Sequence, residues 1–235
     1  MLIGGIQTLS LLDYPGKVST IVFTAGCNFR CGFCHNPEFV DPEQIKKLQK
    51  DFIPEEKFFS FLETRKNFLD GVVVSGGEPT VHPDLISFIT KIKELGLLVK
   101  LDTNGTNPEI ITKLLEKKLI DYFAMDIKSI PEEYNKICAV KVNFQNIKAS
   151  RDLILNSGID HEFRTTVLTK FHDKAKIEAI AKFCEGANKY TIQNFRPEKT
   201  LDEKFSRFHG FFSEELTSFK VVAEKYVKNV VVLGD

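Results

Sequence analysis

Short apolar runs alternate along the chain with longer segments in which apolar side chains recur at helical spacing. The runs are rich in β-branched and aromatic residues, which favours strands, and we assign them to residues 17–23, 71–75, 97–101, 122–126, 161–167 and 190–193. The helical spacing predicts helices after Pro54, from Pro83 to Gly96, after Asn107, and over residues 147–156, 174–183 and 213–227. Residues 13–16 read as a turn and residues 230–233 as an apolar end.

This alternation gives about six strand-then-helix units with short connections. Such units predict a parallel sheet with helices outside it, wound right-handedly. We therefore expect an α/β fold, a partial (β/α)6 TIM-type barrel with parallel strands and outer helices. No Ser- or Pro-rich linker, low-complexity tract or residue-level repeat interrupts the sequence, so we expect residues 1–235 to form a single domain.

Charge and composition narrow the classes of partner. The 32 Lys and Arg residues balance the 32 Asp and Glu residues, which argues against electrostatic capture of nucleic acid or of an anionic membrane. No apolar stretch approaches the roughly 18 residues of a spanning helix, and the start lacks the features of a signal peptide. Three of the five cysteines crowd into one loop, which in a reducing compartment favours metal or redox chemistry over disulfides. We expect a cytoplasmic protein.

Chemically distinctive residues follow four successive predicted strands. The cysteine loop follows the first strand, residues 76–79 (GGEP) the second, residues 102–105 (DTNG) the third and residues 126–128 (DIK) the fourth. In parallel α/β folds the ligand lies at the carboxyl ends of the strands. We therefore expect one site that contains all four groups, although the second and third groups taken alone read as ordinary turns.

The cysteine loop carries the strongest chemical signal. Cys27, Cys31 and Cys34 have the spacing Cys-x3-Cys-x2-Cys, whereas structural zinc sites usually have four ligands and 4Fe-4S clusters four thiolates. Three thiolates can hold three irons of a 4Fe-4S cluster and leave the fourth iron for a ligand that is not protein. The alternatives are a zinc site completed by His35 or a remote cysteine, and three thiols without a metal.

The same loop, with the aromatic Phe33 before its third cysteine, resembles the signature of the radical S-adenosylmethionine (SAM) superfamily. The run from Asp13 to Pro37, with residues 75–80 (SGGEPT) and residues 102–105, more narrowly resembles the glycyl-radical-enzyme activating proteins. Among these it is most similar to the anaerobic ribonucleoside-triphosphate reductase activating proteins and to the pyruvate formate-lyase activating enzymes. The motif-bearing resemblance covers roughly the first 130 residues.

The resemblance implies a radical SAM oxidoreductase with a 4Fe-4S cluster and SAM as cofactors. In that family the reduced cluster splits SAM into methionine and a 5′-deoxyadenosyl radical. An activase uses the radical to take a hydrogen atom from a glycine of a partner glycyl radical enzyme, which we expect here to be anaerobic ribonucleotide reductase. The family further implies oxygen sensitivity and a flavodoxin or ferredoxin as reductant.

The resemblance also assigns roles to single residues. Cys27, Cys31 and Cys34 would ligate the cluster, and backbone around Phe33 and His35 would touch the adenine. Gly76, Gly77 and Glu78 would meet the methionine amino group, because glycines permit close backbone approach and a carboxylate complements an ammonium. Asp126 and Lys128 match the Asp-x-Lys of pyruvate formate-lyase activating enzymes, in which these side chains approach SAM.

Five further residues have less defined roles. Asp102, Thr103 and Asn104 can offer oxygens to a ribose or to a bound monovalent cation. Arg164 could pair with the methionine carboxylate, and a surface ion pair is the alternative. Gln193 stands where the pyruvate formate-lyase pattern would place a His, which leaves its role open and favours the reductase-type subgroup.

Two other cysteines and two rival functions complete the sequence-based picture. Cys138 and Cys184 have no cysteine nearby in sequence, so we expect inert buried thiols and no auxiliary cluster. One rival function is a radical SAM enzyme that acts on a small molecule, for instance a 7-carboxy-7-deazaguanine synthase. The other is a non-enzymatic iron-sulfur electron-transfer protein or zinc-stabilised scaffold.

Overall fold

The computed structural model describes residues 1–234 of the 235-residue chain. The strands in this part of the chain are β1 (Ile3–Ser10), β2 (Ser19–Thr24), β3 (Gly71–Gly76), β4 (Leu98–Thr103), β5 (Tyr122–Asp126), β6 (Asp160–Val167), β7 (Lys189–Asn194) and β8 (Val230–Leu233). The α-helices are α1 (Pro42–Leu48), α2 (Glu55–Arg65), α3 (Leu85–Glu94), α4 (Pro108–Glu116), α5 (Tyr134–Cys138), α6 (Phe144–Leu155), α7 (Lys174–Phe183) and α8 (Ser213–Ala223). Short 3-10 turns connect several of them.

The chain forms two compact units. The first contains residues 1–28, 36–103 and 107–123, and the second contains residues 29–35, 104–106 and the chain from Ala124 onward. The loop with the three cysteines thus contributes Cys27 to the first unit and Cys31 and Cys34 to the second.

The first unit is built on β1 to β4. Strand β1 runs antiparallel to β2, whereas β2, β3 and β4 are parallel neighbours, with Ser19 opposite Gly71 and Gly71 opposite Leu98. The apolar faces of α2 and α3 are buried, and the rings of Phe58 and Phe88 stack with centroids 5.4 Å apart. Burying a side chain of this size contributes about 1.5–3 kcal/mol, so these faces fix the helices in the unit.

Besides residues 29–35 and 104–106, the second unit contains the end of β5 from Ala124 onward and the strands β6, β7 and β8. Strands β6, β7 and β8 are parallel neighbours, with Glu162 opposite Lys189 and Tyr190 opposite Val230. Helix α7 buries Ile177 and its neighbours on one face and packs against α8. The apolar and β-branched strand residues and the helical spacing of the intervening segments account for this pattern.

The structure confirms the α/β class, with parallel strands alternating with helices along the chain. Each of the six strands and six helices assigned from the sequence is present, with bounds that differ by a few residues. The sequence did not predict β1, α1, α5 or β8, and α8 ends at Ala223 instead of residue 227. Strand β1 contains two adjacent glycines and lacks a clear apolar alternation, so pairing with β2 is what makes it a strand. No helix within residues 1–234 is long and apolar enough to cross a membrane.

Candidate active site

In the first unit, the Gly-Gly-Glu turn after β3 packs against the backbone that leads into the cysteine loop. The Gly77 N–H donates to the Thr24 carbonyl at 2.7 Å, and the Glu78 N–H donates to the Gly26 carbonyl at 2.8 Å. A Cβ on Gly77 would lie 2.1 Å from the Gly26 oxygen, and Gly76 has a φ of +109°. Both positions therefore require glycine for protein packing alone, and their contact with a ligand stays a prediction.

The carboxylate of Glu78 is buried and held in one orientation. Its residue is 1% exposed, and its Oε1 accepts from the Thr80 N–H at 3.0 Å, the Thr80 hydroxyl at 2.6 Å and the Thr103 hydroxyl at 2.8 Å. A carboxylate tolerates burial only when hydrogen bonds replace its water. Thr103 thus orients Glu78. The contact of Thr103 with a ribose or a cation stays a prediction.

Asp102 at the end of β4 already has a cationic partner in the first unit. The Lys100 Nζ lies 2.5 Å from its Oδ1, and the Ser75 hydroxyl donates to its Oδ2 at 3.0 Å. Lys100 is 1% exposed, and its ammonium lies 5.9 Å from the centroid of the Tyr122 ring. A buried ammonium needs a counter-charge, which Asp102 supplies to Lys100. A monovalent cation bound at Asp102, as predicted from the sequence, would therefore have to compete with the Lys100 ammonium.

In the second unit, the cysteine loop is fixed by backbone hydrogen bonds. The Cys34 N–H donates to the Cys31 carbonyl at 3.0 Å. The Leu201 N–H donates to the Cys34 carbonyl at 3.1 Å, and the Asp202 N–H donates to the Gly32 carbonyl at 2.9 Å. The loop conformation is therefore defined by a segment about 170 residues later in the sequence, which spacing alone could not indicate.

Phe33 and His35 belong to an aromatic cluster of the second unit. Phe33 is 4% exposed, and its ring centroid lies 6.2–6.5 Å from the rings of Phe171, Phe195 and Phe205. The exposed His35 ring stacks on Phe195 with centroids 5.5 Å apart, and its Nε2 lies 2.9 Å from a backbone carbonyl. The Phe33 ring is thus part of the core, which leaves only its backbone for the predicted contact with adenine.

Asp126, Lys128 and Arg164 form an ion-paired group in the second unit. The Lys128 Nζ lies 2.8 Å from one oxygen of Asp126, and the Arg164 Nε lies 3.0 Å from the other. Burial alone would raise the pKa of Asp126, but the two positive charges outweigh it and hold that pKa well below its usual range. The group carries a net charge of about +1, because one carboxylate faces two cations. Arg164 therefore forms an ion pair, as the alternative from sequence expected, and this pair is partly buried and shared with Lys128; its contact with the methionine carboxylate stays a prediction.

Lys128 and a second buried cysteine, Cys138, both affect the pKa of Cys31. A hydrogen bond from Cys138 is the main reason that the pKa of the Cys31 thiol lies below its ordinary value. Burial acts in the opposite direction and raises this pKa, whereas the positive charge of Lys128 lowers it. Cys138 is fully buried, as expected, and its inertness stays a prediction. Cys184 is buried as expected, and burial raises its pKa.

Asn104 and Gln193 make local contacts in the second unit. The Asn104 Oδ1 accepts from the Thr106 N–H at 3.0 Å and from the Thr106 hydroxyl at 2.7 Å, which closes a turn of the type that Asn favours. The Gln193 Oε1 accepts from the Thr166 hydroxyl at 3.4 Å. These contacts support the interpretation of Asn104 as a turn residue, and a contact of Gln193 with SAM stays a prediction.

The predicted residues are divided between the two compact units. The first unit contains Cys27, Gly76, Gly77, Glu78, Asp102 and Thr103, and the second contains Cys31, Phe33, Cys34, His35, Asn104, Asp126, Lys128, Arg164 and Gln193. Within residues 1–234, no group of three or more His, Cys, Asp or Glu side chains is placed to hold a single metal ion. In a 4Fe-4S cluster each thiolate binds a different iron, so this finding does not argue against the cluster.

Two functional candidates were missed by sequence reasoning. Lys100 stands inside the apolar run of β4, two residues before Asp102, and a charged residue in such a run is a usable signal. Cys138 offered no signal, because its contact with the cysteine loop depends on how α5 packs.

Known proteins agree with this description. The model of the family described as "Radical SAM superfamily" matches residues 21–184. The protein named "Putative glycyl-radical enzyme activating enzyme MJ1227" of Methanocaldococcus jannaschii is 37% identical over 98% of this chain and 95% of its own length. A pyruvate formate-lyase-activating enzyme of Clostridium pasteurianum is 27% identical over 97% of this chain and 98% of its own length.

A solved structure supports the fold. A domain of pyruvate-formate lyase-activating enzyme from Bacteroides vulgatus superposes with a TM-score of 0.58 and 17% identity, over 70% of this chain and 99% of that domain. The predicted fold class, a partial (β/α)6 TIM-type barrel with parallel strands and outer helices, is confirmed. The prediction of a radical SAM enzyme is also confirmed, and membership of the family implies a 4Fe-4S cluster and SAM. The chain belongs to the radical SAM superfamily.

Proposed function

We propose that this chain is an activase that reductively cleaves SAM and takes a hydrogen atom from a glycine of a partner glycyl radical enzyme. The radical SAM part is supported by the family match over residues 21–184, by the buried ion-paired group of Asp126, Lys128 and Arg164, and by the Lys128 charge, which lowers the pKa of Cys31. The activase part is supported by the 37% identity, over nearly the whole chain, to a relative whose name describes glycyl-radical enzyme activation.

The donor set fits a 4Fe-4S cluster. Iron ligation requires thiolates, and the pKa of Cys31 is lowered by the Cys138 hydrogen bond and the Lys128 charge despite its burial. Gly32 gives the loop a further adaptation, because a Cβ there would lie 2.3 Å from the Phe205 ring. Cys27, Cys31 and Cys34 would each hold one iron.

When bound and reduced, the cluster supplies the electron that splits SAM into methionine and a 5′-deoxyadenosyl radical. The chain itself binds and orients SAM. Glu78, held by Thr80 and Thr103, would accept from the methionine ammonium, and the net positive group of Lys128 and Arg164 would attract the methionine carboxylate. Backbone at Gly76 and Gly77 of the first unit, and backbone at Phe33 and His35 of the second, would each contact SAM, and Asp102, Thr103, Asn104 and Gln193 would contribute polar contacts.

Several finer statements belong to the same proposal. The partner is anaerobic ribonucleotide reductase, the reductant is a flavodoxin or ferredoxin, and neither nucleic acid nor membrane takes part. Residues 1–235 act as one radical SAM domain in the cytoplasm, and the family match over residues 21–184 includes residues of both units. A monovalent cation near Asp102 or Asp126 stays a prediction, which a comparison of SAM affinity in potassium and in tetramethylammonium buffers would test.

The first experiment asks whether SAM is cleaved. Protein reconstituted anaerobically with iron and sulfide is reduced with dithionite in the presence of SAM, and 5′-deoxyadenosine is measured. We expect product from the wild type and from Cys184→Ala, which loses a buried thiol elsewhere, and none from Cys31→Ala. A reduced wild-type cluster that neither binds nor cleaves SAM would contradict the proposal and favour an electron-transfer role.

The second experiment asks which protein loses the hydrogen atom. Candidate partners, first an anaerobic ribonucleotide reductase and then a pyruvate formate-lyase, are prepared with glycine deuterated at Cα. The proposal expects an electron paramagnetic resonance signal of a glycyl radical and one deuterium in the 5′-deoxyadenosine. Product formation with no radical in either partner would leave SAM cleavage standing and overturn the activase assignment, as expected of an enzyme acting on a small molecule.

A further inference from the structure

A groove lined by basic and aromatic residues lies beside the cysteine loop of the second unit. We call it the Lys136–Lys170 groove, and its lining residues include Arg30, Gly32, Lys136, Lys170, Phe171 and Phe205. Among the described residues that line it, only Asp202 carries a carboxylate, whose Oδ1 accepts from the Lys204 N–H at 3.0 Å. Three cations and one carboxylate give the groove a net charge of about +2 at neutral pH.

The two lysines of the groove hold their ammonium groups over aromatic rings. The Lys170 ammonium lies 4.4 Å from the centroid of the Phe205 ring and 4.6 Å from that of the Phe208 ring. The Lys136 ammonium lies 5.9 Å from the centroid of the Phe171 ring. A ring face attracts an ammonium but carries no net charge. Both lysines are exposed, and neither is ion-paired with a carboxylate in the described part of the chain, so two positive charges are held in place and stay available to a partner.

The same groove reaches the loop that carries Cys31 and Cys34. Gly32, between these two cysteines, lines the groove, and a Cβ there would lie 2.3 Å from the Phe205 ring. The Phe33 ring of the loop lies 6.2 Å from the same Phe205 ring, centroid to centroid. An occupant of the groove would therefore lie against the cysteine loop.

The size and charge of the groove favour a protein surface over a small ligand. Its volume of about 280 Å³ lies at the lower limit of the roughly 300–1,000 Å³ of pockets that enclose small ligands. Proteins that exchange single electrons form small and transient interfaces, in which complementary charge mainly raises the rate of encounter. The groove therefore fits an acidic surface of such a protein, whose carboxylates would pair with the two lysines.

We propose that the Lys136–Lys170 groove docks an acidic protein that delivers one electron to the cluster. This inference rests on the proposed function, in which Cys31 and Cys34 each hold one iron of a 4Fe-4S cluster that is reduced before SAM is split. In the step that the groove serves, the donor protein loses one electron, which passes to the cluster, and no bond forms or breaks. The rate of electron transfer falls steeply with distance, so a donor is needed beside the cysteine loop.

The test measures how fast reduced flavodoxin and, in parallel, reduced ferredoxin reduce the reconstituted cluster, by anaerobic stopped-flow absorbance. Lys136→Gln/Lys170→Gln removes both charges, and Lys136→Arg/Lys170→Arg retains them. Lys57→Gln/Lys113→Gln removes two exposed lysines of the first unit and is the matched control. At low ionic strength we expect the second-order rate to be about tenfold lower in the groove Gln variant and unchanged in the other two. This difference should disappear at high ionic strength.

A small neutral reductant, photoreduced 5-deazariboflavin, separates this inference from the proposed function. It should reduce the cluster of all four proteins at the same rate and support formation of 5′-deoxyadenosine in each. A wild-type protein that forms no cluster, or whose cluster reduced in this way cleaves no SAM, overturns the proposed function and this inference with it.

Other outcomes overturn the inference alone. Equal rates with the donor protein in the wild type and the groove Gln variant, or no reduction of the wild-type cluster by either donor protein, would show that the groove does not dock the donor. An equal loss in the groove Gln and Arg variants would mean that packing of the lysines matters and their charge does not. Unchanged reduction with a weaker glycyl radical signal in the partner enzyme would assign the groove to that enzyme instead.

Discussion

His172 makes the stability of the apo-protein depend on pH in a defined direction. It is 4% exposed, its Nδ1 accepts from the Leu168 N–H at 3.3 Å, and its Nε2 lies 3.0 Å from the Lys128 carbonyl. Because a carbonyl can only accept, Nε2 carries the proton and the ring is neutral with both nitrogens satisfied. Protonation would place a hydrogen on Nδ1, facing the Leu168 N–H.

The size of the effect follows from the shift in pKa. Burial, the largest cause, lowers the pKa of His172 from 6.5 to about 4, and the Lys176 charge acts in the same direction. At 1.36 kcal/mol for each tenfold change in proton affinity, this difference is worth about 3 kcal/mol. The unfolded chain binds the proton more tightly, so this contribution is fully present above pH 6.5 and is lost as the pH falls towards 4.

Urea unfolding followed by circular dichroism measures this loss. The apo-protein is kept reduced and anaerobic and is compared with His172→Gln, whose amide nitrogen can replace the Nε2–H donor but does not titrate. Between pH 7 and pH 4 we expect the free energy of unfolding to fall by about 3 kcal/mol more in the wild type than in the variant. Ionisable groups common to both proteins cancel in this difference.

Two outcomes would refute the reasoning. Parallel curves for the two proteins between pH 7 and pH 4 would show that His172 has similar proton affinity in the folded and unfolded chains. A larger fall in the variant would reverse the sign and would mean that the folded protein favours the charged ring.

Two substitutions test other contacts by the same measurement at pH 7. Gly77→Ala places a methyl group 2.1 Å from the Gly26 carbonyl and should cost about 2–3 kcal/mol, whereas Gly5→Ala, whose nearest contact would be 3.5 Å, should change stability by less than about 1 kcal/mol; equal costs would contradict this packing. Asp126→Asn leaves two cations without their counter-charge and, after allowance for partial exposure, should cost about 1–3 kcal/mol, with the exposed Asp160→Asn as control. If Asp126→Asn leaves the free energy of unfolding unchanged, water already screens the charges of Lys128 and Arg164.

Residue patterns along the sequence were enough to predict most elements of the fold. Local apolar periodicity and caps such as Asn107, whose Oδ1 accepts from the Ile110 N–H, identify helices that form in their expected places. Strand β1 escaped prediction because an edge strand with adjacent glycines depends on its partner strand. The five-residue α5 is too short for periodicity to reveal.

The candidate site divides in the same way. The sequence alone determined the cysteine spacing, the Gly-Gly-Glu turn and the Asp-x-Lys pair, because each is a set of residues close together in the chain. Only the tertiary structure decided that Lys100 is the counter-ion of Asp102, that Arg164 shares Asp126 with Lys128, and that the end of α5 at Cys138 contacts the cysteine loop. Some of these contacts join residues on different helices or strands. The contact between Lys100 and Asp102 lies within one strand, but its formation depends on how deeply the two side chains are buried. No local sequence pattern could therefore specify either kind of contact. The physical reason is that spacing along the sequence determines which chemical groups the chain offers. Packing of the folded chain determines which buried charges and hydrogen-bond donors lie close enough to need one another as partners.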